Sequence, residues 1–284
     1  RESSHGLLIR SGAGDDRFNN EDSDSINGEL GINWTRDLSP RLGLELTGLQ
    51  RYSTEDYTGV SESAGDDSVF SADSTSGESI GRGVLRFRPN DRWAFETGGE
   101  VAYNFLDSAT AYEENGVAIP LPSSSVKVEE LRGEVFGQAT WHITPALSLT
   151  GGLRYTWDDL QFVHIRAPGA NATNGLPATG PGVSGAPAGG TIASGGNGTN
   201  TSAGSTDNGN ISGRAVLQFE PTDDIMLYGS FTRGYKGPAF NVFFNHTAPT
   251  NAIPIDEETS DAFEIGIKSQ FLDNRLQLNA SAFT

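Results

Sequence analysis

The chain has 284 residues, 35% of them hydrophobic and 20% charged, with a formal net charge of −18. That acidity excludes a nucleic-acid surface, which needs a basic face, and the absence of cysteine excludes a disulfide scaffold, thiolate zinc sites and a cysteine nucleophile. With 36 glycines and one methionine the composition is poor for helices, where glycine costs about 1 kcal/mol relative to alanine, and no stretch approaches the roughly 18–20 apolar residues of a membrane helix, which leaves membrane strands of about 10 alternating residues open.

In chain order, no charged-then-apolar leader follows Arg1, Glu2 and Ser3, and residues 6–10 form a first short strand. Residues 26–37 and 41–52 read as two strands joined by a turn at Leu38, Ser39 and Pro40, followed by a long acidic, serine-rich loop over 53–76. Residues 77–88 and 92–105 flank Pro89, Asn90 and Asp91; residues 128–143 and 146–158 flank Thr144 and Pro145. Residues 166–210 are dominated by Gly, Ala, Pro, Ser, Thr and Asn, which bury little apolar surface, and are expected to be a long mobile extracellular loop. Its Asn171 and Asn197 sequons are chance matches. Residues 211–220 and 224–235 flank Pro221, Thr222 and Asp223; residues 259–271 and 275–283 flank Leu272, Asp273 and Asn274. Each turn carries Pro, Asn or Asp, which preset or tolerate turn dihedrals.

Side chains inside the strands alternate. In 93–105 one face is Trp93, Phe95, Thr97, Gly99, Val101, Tyr103 and Phe105, the other Ala94, Glu96, Gly98, Glu100, Ala102 and Asn104. A period of two puts these sets on opposite faces of a sheet. A soluble sandwich alternates too, but three details favour a membrane barrel. The strands are long, about 10–14 residues against the usual 5–6. Very short and very long connections alternate, as periplasmic turns and extracellular loops do. Aromatics sit at strand ends: Trp34, Trp93 and Trp141 near short turns, and Tyr52, Tyr103, Tyr155 and Trp157 near long connections, as two interfacial girdles would. The fold class is therefore all-β, an antiparallel transmembrane β-barrel segment.

Candidate site residues follow from this frame. Glu29, Glu45, Glu96, Glu100, Glu134, Arg154, Arg214, Glu264 and Lys268 are expected on the inward face. They could hydrogen-bond a domain inside the barrel, or be charges that a wet lumen tolerates. Tyr235, Lys236, Phe240, Asn241, Phe243, Phe244 and His246 cluster at an outer strand end and are the best candidates for substrate contact; the plainer explanation is that the rings anchor the loop. Glu55, Asp56, Glu62, Asp66, Asp67 and Asp73 lack the glycine-centred calcium-loop spacing. The histidines His5, His142, His164 and His246 share no close spacing. No metal site, cofactor or catalytic motif is expected, and the chain is read as a non-enzyme.

The stretch 227–241, LYGSFTRGYKGPAFN, resembles a recurrent strand and loop-start of TonB-dependent outer-membrane receptors, and 258–283 resembles the hairpin that follows it. There Glu264, Ile265, Gly266, Ile267 and Lys268 lead to a turn at Phe271–Leu276. Residues 92–106 and 128–157 are similar to mid-barrel hairpins of that family. The resemblance implies a barrel of about 22 strands, of which this chain would supply about eleven. It also implies an N-terminal plug, energy from TonB bound through that plug, and import of a ferric siderophore or a similar nutrient, in contact with outer-membrane lipid and lipopolysaccharide. Residues 1–284 are expected to carry neither the plug nor the terminal strand of such a barrel, and an isolated half-barrel with unpaired edges is expected not to insert. A passive porin, a non-transport binding barrel and a soluble sandwich are the competing readings.

Overall fold

Alternating side chains settle on opposite faces when the backbone pairs as a sheet, and the computed structural model of this chain is a single antiparallel sheet. It describes residues 2–10, 17–63, 65–119, 121, 124–166, 190–194, 200–240, 253–273 and 275–284. The strands are β1 (Glu2–Arg10), β2 (Arg17–Ser39), β3 (Leu42–Ser63), β4 (Asp66–Asn90), β5 (Trp93–Glu114), β6 (Val117–Ala118), β7 (Ser125–Thr144), β8 (Leu147–Arg166), β9 (Gly190–Ser194), β10 (Asn200–Thr222), β11 (Ile225–Lys236), β12 (Glu258–Phe271) and β13 (Leu276–Phe283). All but β6 and β9 pair in sequence order; β6 pairs only β5 and β9 only β10. The strip is thus an up-and-down meander with β1 and β13 at its two edges, as in a barrel wall. Among the described residues there is no helix.

The five short turns fall where the sequence places them, and side chains close them. Asn90 Oδ1 accepts the backbone N–H groups of Arg92 and Trp93 at 2.9 and 3.1 Å. Ser39 Oγ and Thr144 Oγ1 each accept the N–H two residues on, at 3.2 Å. At the β12–β13 turn Leu272 and Asp273 both take positive φ, 56° and 55°, the mirror-image geometry that matches the twist of paired strands.

The expected loop over 53–76 is not a loop. β3 and β4 continue through it in unbroken register from Leu42↔Phe87 to Ser63↔Asp66 and turn around Gly65, whose φ is +106°. Val60 opposes Val69, and Tyr57 packs on Phe70 at 6.1 Å between ring centroids. Polarity suggested a loop, but a ladder with water on both faces needs backbone pairing rather than an apolar side. β2 likewise starts at Arg17 and β10 at Asn200, inside the segment expected to be loop; residues 167–189 and 195–199 of that segment lie outside the described residues. β2, β3, β4, β5, β7, β8 and β10 run 20 to 25 residues against the expected 10–14, while β11 and β12 keep 12 and 14. At about 3.3 Å per residue one of the long strands runs roughly 70 Å, well beyond a hydrocarbon core of about 30 Å.

The sheet is inside out by the standards of a water-soluble protein. Registers Trp34↔Leu46, Leu46↔Gly83, Leu85↔Thr97, Trp93↔Trp141, Leu149↔Leu217 and Phe231↔Phe263 put the large apolar side chains on one face. That face is exposed: Leu153 keeps 68% of its accessible surface and Ile265 69%. The buried hydrophobics among the described residues, Val84, Ala102, Val126, Leu160 and Phe162, are few, and all belong to the other, polar face. A sandwich would cover the apolar face with a second sheet; among the described residues none covers it, which is the pattern of a lipid-facing barrel wall. Near the short turns the aromatics form a row across three strands. Trp93 stacks on Trp141 at 5.5 Å and on Phe95 at 5.6 Å, and Phe95 on Phe87 at 6.4 Å.

Candidate functional site

Two side-chain systems occupy the polar face. The first is a ladder of ion pairs between neighbouring strands. Arg51 bridges Glu29 (2.7 Å) and Glu78 (3.5 Å), and Arg86 bridges Glu45 (2.6 Å) and Glu96 (3.2 Å). Arg82 meets Glu100 at 3.3 Å and Arg154 meets Glu134 at 3.2 Å, and the two guanidinium groups share the Phe136 ring at 5.0 and 5.9 Å from its centroid. Arg214 donates through Nε to Gln138 Oε1 at 2.9 Å and through Nη2 to the same oxygen, so its partner is neutral. Tyr228 donates to Glu264 Oε1 at 2.5 Å while Lys268 Nζ lies 5.6 Å from its ring. The exposed pairs of this ladder contribute little to stability, because water screens them and replaces a lost partner.

The second system centres on Asp158, which is 1% exposed. Arg132 Nε donates to its Oδ1 at 2.5 Å and the Tyr235 hydroxyl to its Oδ2 at 2.7 Å. Arg132 Nη2 also donates to Glu130 Oε1 (2.8 Å), Asn104 Nδ2 to Glu130 Oε2 (3.3 Å), and Asn208 Nδ2 to the Tyr235 oxygen (3.3 Å). The network therefore ties β5, β7, β8, β10 and β11 together. A buried carboxylate survives only when its lone pairs are met in this way.

The segment that reaches this network parts from β10. β10 and β11 pair from Thr222↔Ile225, with a register shift between Thr222 and Phe219, up to Gly213↔Arg233 and no further. Beyond Arg233 the chain keeps β12, with Tyr235 opposite Thr259 and Lys236 opposite Glu258. Phe240 then packs on Phe162 of β8 at 4.5 Å, beside Val126 and Val128 of β7. Between segment and wall lies a cavity of about 620 Å³ lined by Arg82, Phe136, Arg154, Arg214 and Gly234–Gly237.

The sequence-based candidates divide accordingly. Glu96, Glu100, Glu134, Arg154, Arg214, Glu264 and Lys268 lie on the polar face and engage neighbouring side chains, and Glu96, Glu134, Arg154 and Arg214 also line the cavity. Tyr235 and Phe240 are brought together as contacts to the wall, and Lys236 pairs with Glu258 at 3.3 Å. Asn241, Phe243, Phe244 and His246 lie outside the described residues. The residues that organise the network, Arg132, Asp158 and Asn208, were not singled out from sequence. Their even positions on alternating strands carried the signal, because that parity marks the polar face.

Charges on the opposite face begin only past the aromatics. Lys127 pairs with Asp107 at 2.6 Å, and that carboxylate holds its ammonium above the usual lysine range. Asp24, Asp56 and Asp73 stand directly opposite one another on β2, β3 and β4, a like-charge row that only solvated surroundings tolerate. No group of three or more potential metal ligands occurs among the described residues.

A profile of the family described as TonB dependent receptor-like, beta-barrel matches residues 4–284. No curated protein matches the chain. Among solved structures it is similar to the ferric yersiniabactin uptake receptor FyuA from Yersinia pestis, with 17% identity and a TM-score of 0.59 over 94% of this chain and 36% of that one. It is similar to the ferric-catecholate import receptor Fiu from E. coli K12 in its closed form, with 14% identity and a TM-score of 0.64 over 95% and 41%. The ferric citrate transporter FecA in the unliganded form gives 12% identity and a TM-score of 0.53 over 95% and 34%. At these identities the likeness concerns the fold, and the chain spans well under half the length of each.

Proposed function

Because the chain belongs to the TonB-dependent receptor-like β-barrel family, a family of bacterial outer-membrane barrels, we propose that it is part of an active transporter importing a ferric siderophore or similar nutrient with energy delivered through TonB. The family is one of transporters and receptors rather than enzymes. The observation that carries the reading is the family match over residues 4–284. On this reading the exposed apolar face meets lipid, the charged face lines the lumen, and the strand extensions project toward lipopolysaccharide and the medium. The inward charges Glu96, Glu100, Glu134, Arg154, Arg214, Glu264 and Lys268 would then meet a plug, and the outer segment from Tyr235 to His246 would meet cargo. The solved relatives named for ferric yersiniabactin, ferric catecholate and ferric citrate favour an iron chelate; another is named as a copper transporter, OprC.

Uptake of a panel of radiolabelled ferric chelates, by cells carrying or lacking the full-length gene, tests the reading. Gene-dependent uptake that stops with a protonophore is the expected result. Uptake indifferent to the protonophore would instead mark a passive porin, and binding without uptake a non-transport barrel.

A further inference from the structure

We propose that Arg132, Asp158 and Tyr235 form a latch that holds Gly234–Phe240 as a strap across the polar face, covering the arginine-lined cavity until the latch lets go. The inference rests on the reading that this face lines the lumen.

The first argument is reach. β8 and β11 are separated by β10, so their backbones should stand roughly 10 Å apart at about 4.8 Å per strand. Yet a Cβ placed on Gly237 would lie 3.0 Å from Asp158 Oδ2 and 3.4 Å from Arg132 Nη2. The chain after Arg233 must therefore have folded over β10 toward β8. Phe240 confirms the course, packing on Phe162 of β8 and lying 3.4 Å from where a Cβ on Gly204 of β10 would stand. Parity agrees. Tyr235 shares the odd register of Leu227 and Phe231 on the apolar face, but its hydroxyl ends on a carboxylate of the polar face.

The second argument is how little else holds the segment. β10 no longer pairs with it past Arg233. Pro238 has no N–H to offer a ladder, and past Lys236 one isolated bridge, Ala239↔Ile255, remains. Gly234 and Gly237 allow a close approach, since side chains there would press on Ser260 Oγ and Asp158 Oδ2 at 2.8 and 3.0 Å. Gly234, Tyr235 and Lys236 keep their pairing with β12, so the attachments to the wall on the β8 and β10 side are the polar latch and the Phe240 ring. Both oxygens of Asp158 are used, one by Arg132 and one by Tyr235, so the strap is held through a hydrogen bond to a charged group, the stronger kind.

The test needs no cargo. Ser212 lines the cavity, and a Ser212→Cys variant of the full-length protein, in cells from which other reactive cysteines of the protein have been removed, is labelled from outside with a bulky, membrane-impermeant maleimide. Adding Asp158→Ala or Tyr235→Phe should speed labelling about tenfold, the population shift that losing one charge-assisted hydrogen bond produces. A cysteine at Ser53, on the same face in the extension of β3 and far from the strap, should keep its rate. Equal rates at Ser212→Cys with and without the latch substitutions, or acceleration at Ser53→Cys as well, would overturn the proposal. If Asp158→Ala fails to reach the outer membrane, Tyr235→Phe decides, since it removes one oxygen and keeps the ring. A failed transport assay leaves this readout standing, and an unchanged labelling rate leaves the transport reading standing.

Discussion

At the scale of single residues, burial decides which ion pairs matter. Arg51 and Glu29 are each 56% exposed at the side chain, whereas Asp158 is 1% exposed beside Arg132. Arg51→Ala should leave stability nearly unchanged, because water replaces the partner. Arg132→Ala strands a buried carboxylate and should cost about 3–5 kcal/mol. Urea titration of the full-length protein in detergent, read by heat-modifiable migration, separates the two; equal losses would refute the assignment. Close aromatic approach sets a second residue-scale constraint. A Cβ on Gly266 would sit 2.5 Å from the Tyr228 ring, so Gly266→Val should push Tyr228 away from Glu264 at a cost of about 1–3 kcal/mol, measurable in the same titration. Parity made Glu134, Arg154 and Arg214 legible as polar-face residues. It could not show that Arg154 shares Phe136 with Arg82, because a sequence does not state which strands become neighbours or in what register.

At the scale of elements, the strands outrun the membrane. The strand cores and short turns were readable because Leu, Trp and Phe alternate with Glu, Gly and Thr there, and because Asn90, Ser39 and Thr144 close turns through their own side chains. The extensions were not, since Ser, Thr and Asp on both faces look like a loop to any test based on apolar period. The Asn115–Gly116 turn between β5 and β6, with φ of 50° and 72°, was a recognisable dipeptide signal that went unused. An epitope inserted between Ser63 and Asp66 of the full-length protein should bind antibody on intact cells, while one between Asn90 and Trp93 should bind only after the outer membrane is opened. Reversed accessibility would invert the orientation; loss of assembly from the first insertion would show that the extension is needed for folding.

At the scale of the whole molecule, the apolar face makes the sheet a membrane element. Val135, 60% exposed, lies on that face opposite Tyr155, while Gln138 lies on the polar face beside Arg214. Val135→Arg should cost about 2–4 kcal/mol at mid-depth and sharply reduce assembly of the full-length protein into lipid vesicles. Gln138→Glu should assemble normally, since it turns the neutral partner of Arg214 into a carboxylate. Equal assembly of both variants would mean that the apolar face does not meet lipid.

The amino-acid sequence by itself determined the strand class, the short turns, the division into an apolar and a polar face and the aromatic row beside the short turns. All of these are local: a period of two, a turn residue or a ring at a strand end acts within a few residues of itself. The tertiary structure alone decided the length of β3 and β4 and the course of the chain after Arg233. It also decided the meeting of Asp158 with Tyr235, 77 residues apart. Those outcomes depend on which strands pair, how far the ladder runs and where one strand departs from it, and a chain read residue by residue carries no distance between its strands.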